Sequence, residues 1–156
     1  MNNHLPSTLL MSSSEIELHY KRPLFHSMKH ITGSEDAEVV LREFINPNRI
    51  DLKEFFWVLL LSNANRLIAV AEIASGSPRC VQIQIREIFQ LAFKTNASNL
   101  IVAHCHPSGT LKVSEADKKM TKKLLELCEL LELTLLDHII ITSESYTSCS
   151  DSLKLT

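Results

Sequence analysis

The sequence predicts a single α/β domain, or an α+β domain, in which a β-sheet is packed by two or three helices. Apolar residues make up 45% and charged residues 22% of the 156 residues, which are globular proportions. This length suits one domain with its own core, since domains have about 100–200 residues. Short apolar strand patterns and amphipathic helical patterns both occur along the chain, as expected for helices packed on a sheet.

The first elements follow a Ser- and Asn-rich segment over 1–15 that we expect to be loose, so that the domain spans 16–156. Alternating apolar residues in 15–21 predict a short strand. A helix is predicted after Ser34, because acidic residues fill its first turn and apolar residues follow at helical spacing. The residues expected to face the core from this helix are Val39, Val40 and Phe44.

A hairpin is predicted next. Residues 54–61 are apolar on both faces after Glu54, as in a strand buried inside a sheet. Asn-Ala-Asn at 63–65 turns the chain, and 66–75 supplies the partner strand.

The second half predicts helix, strand, helix and strand. One helical stripe comprises Ile85, Ile88, Phe89, Ala92 and Phe93. Residues 99–104 form a buried strand, 114–132 a long amphipathic helix and 134–142 a further strand. The residues expected to face inward from the long helix are Ala116, Met120, Leu124, Leu127 and Leu131.

Charge and cysteine content restrict the function classes. The net charge of −2 provides no global basic field that would attract nucleic acid. The sequence shows neither an apolar run of about 20 residues nor a signal peptide, so we expect no membrane association and a cytoplasmic location. Its four cysteines form no Cys-x-x-Cys pair and are expected to be reduced thiols.

The segment Ala-His-Cys-His-Pro-Ser-Gly-Thr-Leu-Lys-Val-Ser-Glu-Ala-Asp, residues 103–117, carries the strongest chemical signal. His104 and His106 lie two apart at a strand end, so their side chains leave the same face. If the turn after them folds back, Asp117 on the next helix supplies a third ligand. Two histidines and a carboxylate with an open fourth position form a catalytic zinc arrangement. Zinc would lower the pKa of a bound water from about 16 toward about 7.

Each of these residues also has a structural interpretation. Ser114 and Asp117 match a capping box, which stabilises a helix without any chemistry. Cys105 points away from its two neighbours and need not touch a metal, whereas as a fourth ligand it would close the site. His138 is expected either to contact a ligand imidazole or to contact the substrate, and Asp137 could hold the outer nitrogen of a ligand imidazole. Alternatively, the two residues form a strand pair that exposes one polar side chain.

A basic face on the long helix consists of Lys118, Lys119, Lys122 and Lys123. It is either a solvated face that balances neighbouring glutamates or a set of phosphate contacts for DNA.

Taken together, His104-x-His106, Ser114 and Asp117 at their spacing resemble the JAMM signature of MPN-domain metalloproteases. "AHCHPSG" and "LLDHIIIT" resemble the RadC branch, whose usual wording is A-H-N-H-P-S-G and L-L-D-H-I-I; Cys105 and the C-terminal ending depart from it. The resemblance covers residues 34–146. It implies a JAMM/MPN, cytidine deaminase-like fold with a mixed sheet, here in a single-domain form without the N-terminal helix-hairpin-helix region of longer members.

The resemblance also implies roles for individual residues. Zn²⁺ would be held by His104, His106 and Asp117, and Ser114 would help to stabilise the tetrahedral intermediate. The upstream general acid/base would be Glu54 by position, with Glu72 as its rival.

The function implied is a zinc-dependent hydrolase, a metallopeptidase or isopeptidase that cleaves an amide bond in a peptide or an isopeptide-linked protein. The alternatives are a metal-dependent nuclease or DNA-repair factor of the RadC family, and a non-catalytic MPN binding module.

Overall fold

The computed structural model of the protein describes residues 19–77 and 81–150, which contain one five-stranded sheet and three helices. The strands are β1 (Phe55–Leu61), β2 (Leu67–Ser75), β3 (Asn99–Cys105), β4 (Thr134–Ile141) and β5 (Tyr146–Ser148). The helices are α1 (Ser34–Phe44), α2 (Ile85–Lys94) and α3 (Glu115–Leu130), and Phe25–Ser27 forms a short 3₁₀ helix.

The sheet is mixed. Its strand order is β2-β1-β3-β4-β5; β3 and β4 run parallel, and the other neighbouring strands pair antiparallel. The long helix α3 connects the two parallel strands, since such strands need a crossover connection. This architecture confirms the predicted α/β fold with a mixed sheet and three helices.

The central strands β1 and β3 are buried along their whole length, which explains their continuous apolar sequences. The predicted hairpin is confirmed, because β1 pairs antiparallel with β2. Asn65 in the turn adopts a φ of 52°, a left-handed conformation that asparagine tolerates better than most residues.

The pleat of the strands divides the core into two layers, because alternate side chains point to opposite faces of a sheet. Trp57 and Ala103 belong to the cluster under α1. Phe56 and Val102 belong to the cluster under α2 and α3. A residue at an even position of β1 or β3 therefore lies on the α2 and α3 side.

The buried stripes of α1 and α2 differ from the predicted ones. Val39 and Phe44 are 40% and 46% exposed, whereas Val40 is buried as predicted, together with Ala37 and Leu41. On α2, Phe93 is 57% exposed. Helical spacing identifies the apolar residues that share a face, but the width of the covered stripe depends on how closely the sheet approaches.

The buried face of α3 is also rotated from its predicted position. Thr121, Leu124 and Cys128 are buried, whereas Ala116 is exposed. The other residues predicted to face inward are partly buried against the same cluster: Met120, Leu127 and Leu131. One of the three buried residues is polar: Thr121 can be buried because its hydroxyl has buried hydrogen-bond partners.

Two further differences concern short strands. The sequence pattern did not reveal β5, which has three residues and pairs with the end of β4. Of the strand predicted over 15–21, residues 19–21 are not in a strand, and the rest lies outside the described residues, as does the loose segment over 1–15. In the part of the chain that is described, no helix is both long and apolar enough to cross a membrane.

Candidate metal centre

The centre is built at the C-terminal end of β3. His104 is paired with Phe56 of β1 and faces the α2 and α3 side of the sheet. His106 follows the strand, and its N–H still donates to the carbonyl of Ile141 on β4 (3.2 Å). The chain then turns at Gly109, whose φ of 79° lies in the left-handed region that favours glycine. The turn leads the chain toward the start of α3.

The start of α3 supplies the carboxylate. Ser114 is the N-cap residue, and its hydroxyl accepts a hydrogen bond from the N–H of Asp117 (3.1 Å). In return, Asp117 Oδ2 accepts from the N–H (2.7 Å) and the hydroxyl (2.6 Å) of Ser114. The predicted capping box is therefore present, and it holds Oδ2 in place while Oδ1 faces the histidines.

Three potential ligand atoms converge between these elements. His104 Nε2 lies 2.9 Å from His106 Nε2 and 3.0 Å from Asp117 Oδ1. His106 Nε2 lies 3.8 Å from Asp117 Oδ2. Ligands of one tetrahedral zinc, bound at about 2.0–2.2 Å, lie roughly 3.3–3.6 Å apart. Two of the observed separations are shorter than this range and one is longer, so small side-chain shifts would let the two imidazoles and the carboxylate hold one metal ion of the zinc type.

The outer nitrogens of both histidines have hydrogen-bond partners, which is typical of metal-ligating imidazoles. His106 Nδ1 lies 2.9 Å from the carbonyl oxygen of Thr110, which can only accept, so Nδ1 carries a proton. A neutral His106 then directs the lone pair of Nε2 toward the centre. His104 Nδ1 lies 2.8 Å from His138 Nε2.

His138 is the partner of His104 Nδ1 and reaches it from β4. It is 1% exposed, and its Nδ1 lies 2.6 Å from Thr121 Oγ1 of α3. Burial, and then the charge of His104, lower the pKa of His138 to about 3, so its ring is neutral at pH 7. Thr121 was missed by sequence reasoning, although a threonine four residues after Asp117 on the buried stripe is a usable signal.

Asp137 does not orient a ligand imidazole in this way. It precedes His138 in the strand and lies on the side of α1, where a pocket next to Ile31 includes it. Its carboxylate accepts from the hydroxyl of Ser148 (2.9 Å) and the N–H of Ser150 (3.2 Å). Asp137 therefore secures the chain after β5.

Glu54 lies beside the centre, at the entrance of β1. It lines a cavity of about 230 Å³ together with the three ligand residues, Ser114 and His138. Burial raises the pKa of Glu54, His104 and His106 lower it, and Asp117 raises it further; the net direction is upward. The other wall of the cavity is apolar and comprises Phe56, Val81, Ile83, Ala116 and Met120.

Glu72, the rival of Glu54, lies on the opposite face of the sheet. Within β2 it is paired with Trp57 of β1, and its carboxylate lies 3.5 Å from the guanidinium of Arg49. It lines a separate cavity under α1. Of the two glutamates, the structure brings only Glu54 to the metal centre.

Comparison with known proteins identifies the family to which the chain belongs. The family model described as RadC-like JAB domain matches residues 31–154. The chain belongs to the RadC-like JAB domain family. This result confirms the resemblance inferred from the motifs.

Two curated relatives of the chain both carry the name UPF0758 protein. One, from Flavobacterium johnsoniae, is 39% identical over 126 residues, which cover 80% of this chain and 53% of the relative. The other, from Haemophilus ducreyi, is 36% identical over 128 residues, which cover 82% of this chain and 57% of the relative. The chain thus spans about half the length of the curated relatives it matches.

At the position where this RadC-like domain departs from the usual motif, Cys105 lies on the α1 side of the sheet. Its thiol accepts a hydrogen bond from the N–H of Phe55 (3.3 Å) and is fully buried. Burial raises the pKa of Cys105 to about 11, so the thiol is protonated. The potential ligand group contains His104, His106 and Asp117 without this cysteine.

The basic face of the RadC-like domain is exposed along α3, and Lys118 at its start also lines a depression with His106 and Ser114. Lys118 lies 2.6 Å from Glu115, which offsets part of its charge. Lys119 and Lys122 line a shallow surface depression with Lys118 and Leu125. Phosphate binding by these lysines and by Lys123 stays a prediction.

Burial alone would raise the pKa of Asp117, but hydrogen bonds from His104 and Ser114 and the charge of His104 outweigh it. The pKa of Asp117 therefore lies well below its usual range. Asp117 is therefore a carboxylate throughout the physiological pH range, which is the form that can bind a metal.

Proposed function

We propose that the protein is a zinc-dependent hydrolase that cleaves an amide bond in a peptide or an isopeptide-linked protein. The observation that carries this proposal is the convergence of His104 Nε2, His106 Nε2 and Asp117 Oδ1 beside Glu54 in one cavity. Zn²⁺ bound there would supply a Lewis acid that makes hydroxide available from water near pH 7. The family membership supports a JAMM-type site without defining its reaction.

Glu54 is proposed as the general acid/base. Its carboxylate accepts a proton from the attacking water and returns it to the nitrogen that leaves when the amide bond breaks. A raised pKa suits this exchange, because it makes the carboxylate a stronger base, and a group both accepts and returns a proton best when its pKa lies near the working pH. The apolar wall of the cavity limits the access of other water molecules to the reacting bond.

The main role proposed for Ser114 is to orient the carboxylate of Asp117, one of the proposed metal ligands. Its hydroxyl donates a hydrogen bond to Asp117 Oδ2, with 2.6 Å between the two oxygens, and accepts one from the N–H of Asp117. The hydroxyl is thus committed to Asp117 in this arrangement. A direct contact with the oxyanion, as the family resemblance implies, requires the side chain to rotate away from that carboxylate.

The test is metal analysis combined with cleavage of an unbiased peptide library, read by mass spectrometry. We expect about one zinc per chain in the wild type, loss of the metal in Asp117→Asn, and a metal-loaded but inactive Glu54→Gln. Cys105→Ala is the matched control and is expected to keep both metal and activity, because that thiol lies on the other face of the sheet.

Each alternative function has its own outcome in this experiment. A wild-type protein that binds no zinc contradicts the hydrolase. Zinc-loaded protein that cleaves DNA but no peptide favours the nuclease, and zinc-loaded protein that cleaves neither favours the binding module.

A further inference from the structure

A chain of side-chain hydrogen bonds connects two ligands of the metal centre through the protein interior. It runs from His104 Nδ1 to His138 Nε2 (2.8 Å) and from His138 Nδ1 to Thr121 Oγ1 (2.6 Å). Thr121 Oγ1 then lies 2.7 Å from the main-chain carbonyl of Asp117. Strand β3, strand β4 and helix α3 each contribute one of the three side chains.

All three side chains are removed from solvent. His104, His138 and Thr121 are 3%, 1% and 0% exposed. The ring of Phe56 covers both imidazoles, with centroids 6.3 Å from His104 and 6.0 Å from His138. Water therefore does not compete for these bonds, and each polar atom depends on its neighbour in the chain.

When a metal is bound, these hydrogen bonds can be donated in only one direction, from His104 toward Asp117. A metal needs the lone pair of His104 Nε2, so a neutral His104 carries its proton on Nδ1 and donates it to His138 Nε2. His138 must then carry its own proton on Nδ1 and donate it to Thr121 Oγ1. The hydroxyl of Thr121 is left to donate to the carbonyl of Asp117, which can only accept.

In the reverse direction the same protons block the centre. Thr121 would donate to His138 Nδ1, His138 Nε2 would donate to His104 Nδ1, and His104 Nε2–H would point at Asp117 Oδ1, 3.0 Å away. That arrangement leaves no lone pair on His104 for a metal. The two directions contain the same number of protons and differ in the tautomers of the two histidines and in the acceptor of the Thr121 hydroxyl proton.

We propose that Thr121 and His138 are positioning residues that set the tautomer of His104 and join it to the helix that carries Asp117, with His138 held as its Nδ1–H tautomer in the metal-loaded protein. This inference rests on the proposed metal site. It goes beyond the site because the ligand set alone does not involve Thr121. A neutral relay of this kind positions the ligand without adding a second negative charge to Asp117.

The first experiment measures zinc affinity by competition with a chromophoric chelator. Thr121→Val keeps the shape of the side chain but removes the hydroxyl, and we expect a loss of about 10–100-fold, the usual range for a second-shell partner. Thr121→Ser restores the hydroxyl and is expected to bind zinc nearly as well as the wild type. Cys128→Ala is the matched control, since it opens the same buried face of α3 outside the relay.

The second experiment needs no variant. ¹⁵N NMR of the histidine rings in the zinc-loaded wild type is expected to show a proton on His138 Nδ1, the minor tautomer of a free imidazole. A proton on His138 Nε2 in that state overturns the relay, and so does a Thr121→Val protein that binds zinc like Thr121→Ser. If the wild type binds no zinc, the proposed function fails first, so the two failures are distinguishable.

Discussion

The carboxylate of Glu54 is less stable in its charged form in the folded protein than in the unfolded chain. Burial and Asp117 raise its pKa, and only the two histidines act against them. The folded protein therefore binds this proton more tightly than the unfolded chain does. The contribution to stability is complete below the unfolded pKa of about 4.3 and is lost as the pH rises through the higher folded pKa.

Glu54→Gln in the metal-free protein should consequently raise the thermal midpoint at pH 7, with a difference that disappears below about pH 4. Asp117→Asn is the control of opposite sign, because the pKa of Asp117 is lowered and its charge stabilises the fold above the unfolded pKa. Thermal unfolding in the presence of a chelator measures both. A lower midpoint for Glu54→Gln at pH 7 would contradict this account.

At the same scale, sequence reasoning could identify His104, His106, Ser114 and Asp117, because their spacing is local and their chemistry is distinctive. It could not choose between Glu54 and Glu72, since the choice depends on which face of β1 and β2 each side chain leaves. The hydrogen-bond partner of His106 could not be predicted for another reason. It is the main-chain carbonyl of Thr110, which every residue type would provide.

Helix α3 combines a structural cap with a ligand at its first turn. The bonds between Ser114 and Asp117 stabilise the helix start and also orient the ligating carboxylate. Substitutions of Ser114 can separate these two effects, because glycine is a much better N-cap residue than alanine.

We expect Ser114→Ala to lower the free energy of unfolding by about 1 kcal/mol and Ser114→Gly by only a few tenths. Both remove the hydroxyl from Asp117 Oδ2 and are expected to weaken zinc binding to a similar extent. Chemical denaturation gives the first quantity, and chelator competition gives the second. If zinc affinity follows stability instead, and Ser114→Gly binds like the wild type, the hydroxyl does not orient the ligand.

The helices and strands differ in how far they could be predicted. β1 and β3 were predictable because strands buried on both faces must be apolar throughout. The buried face of α3 was not fully predictable, because it includes Thr121, a polar residue whose hydroxyl bonds to His138 from another strand. β5 was too short for a pattern, and its pairing with β4 is a tertiary effect.

For the molecule as a whole, a bound metal would link β3, the loop after it and α3. Such a ligand binds the folded chain only, because the three ligand atoms are brought together by folding. Free zinc at 100 times its dissociation constant should therefore stabilise the protein by about 2.7 kcal/mol.

For a domain of this size, that increment should raise the thermal midpoint by about 5–11 °C. Thermal unfolding with buffered zinc and with chelator measures the difference. Glu54→Gln should show the full rise, because Glu54 is not among the three ligands, and Asp117→Asn should show little. A rise of equal size in Asp117→Asn would place the zinc elsewhere on the chain.

The parallel pairing of β3 with β4 has a consequence for how the site is encoded. The three ligands and both relay residues lie within one contiguous stretch, from β3 through the α3 crossover to β4. Glu54 comes instead from the β1–β2 hairpin, which joins this stretch through the antiparallel pairing of β1 with β3. The proposed metal ligands and the proposed general acid/base thus belong to two separate supersecondary modules. The register between β1 and β3 is where the modules meet, and a slip of one residue there would turn Glu54 to the opposite face while leaving the ligand set intact.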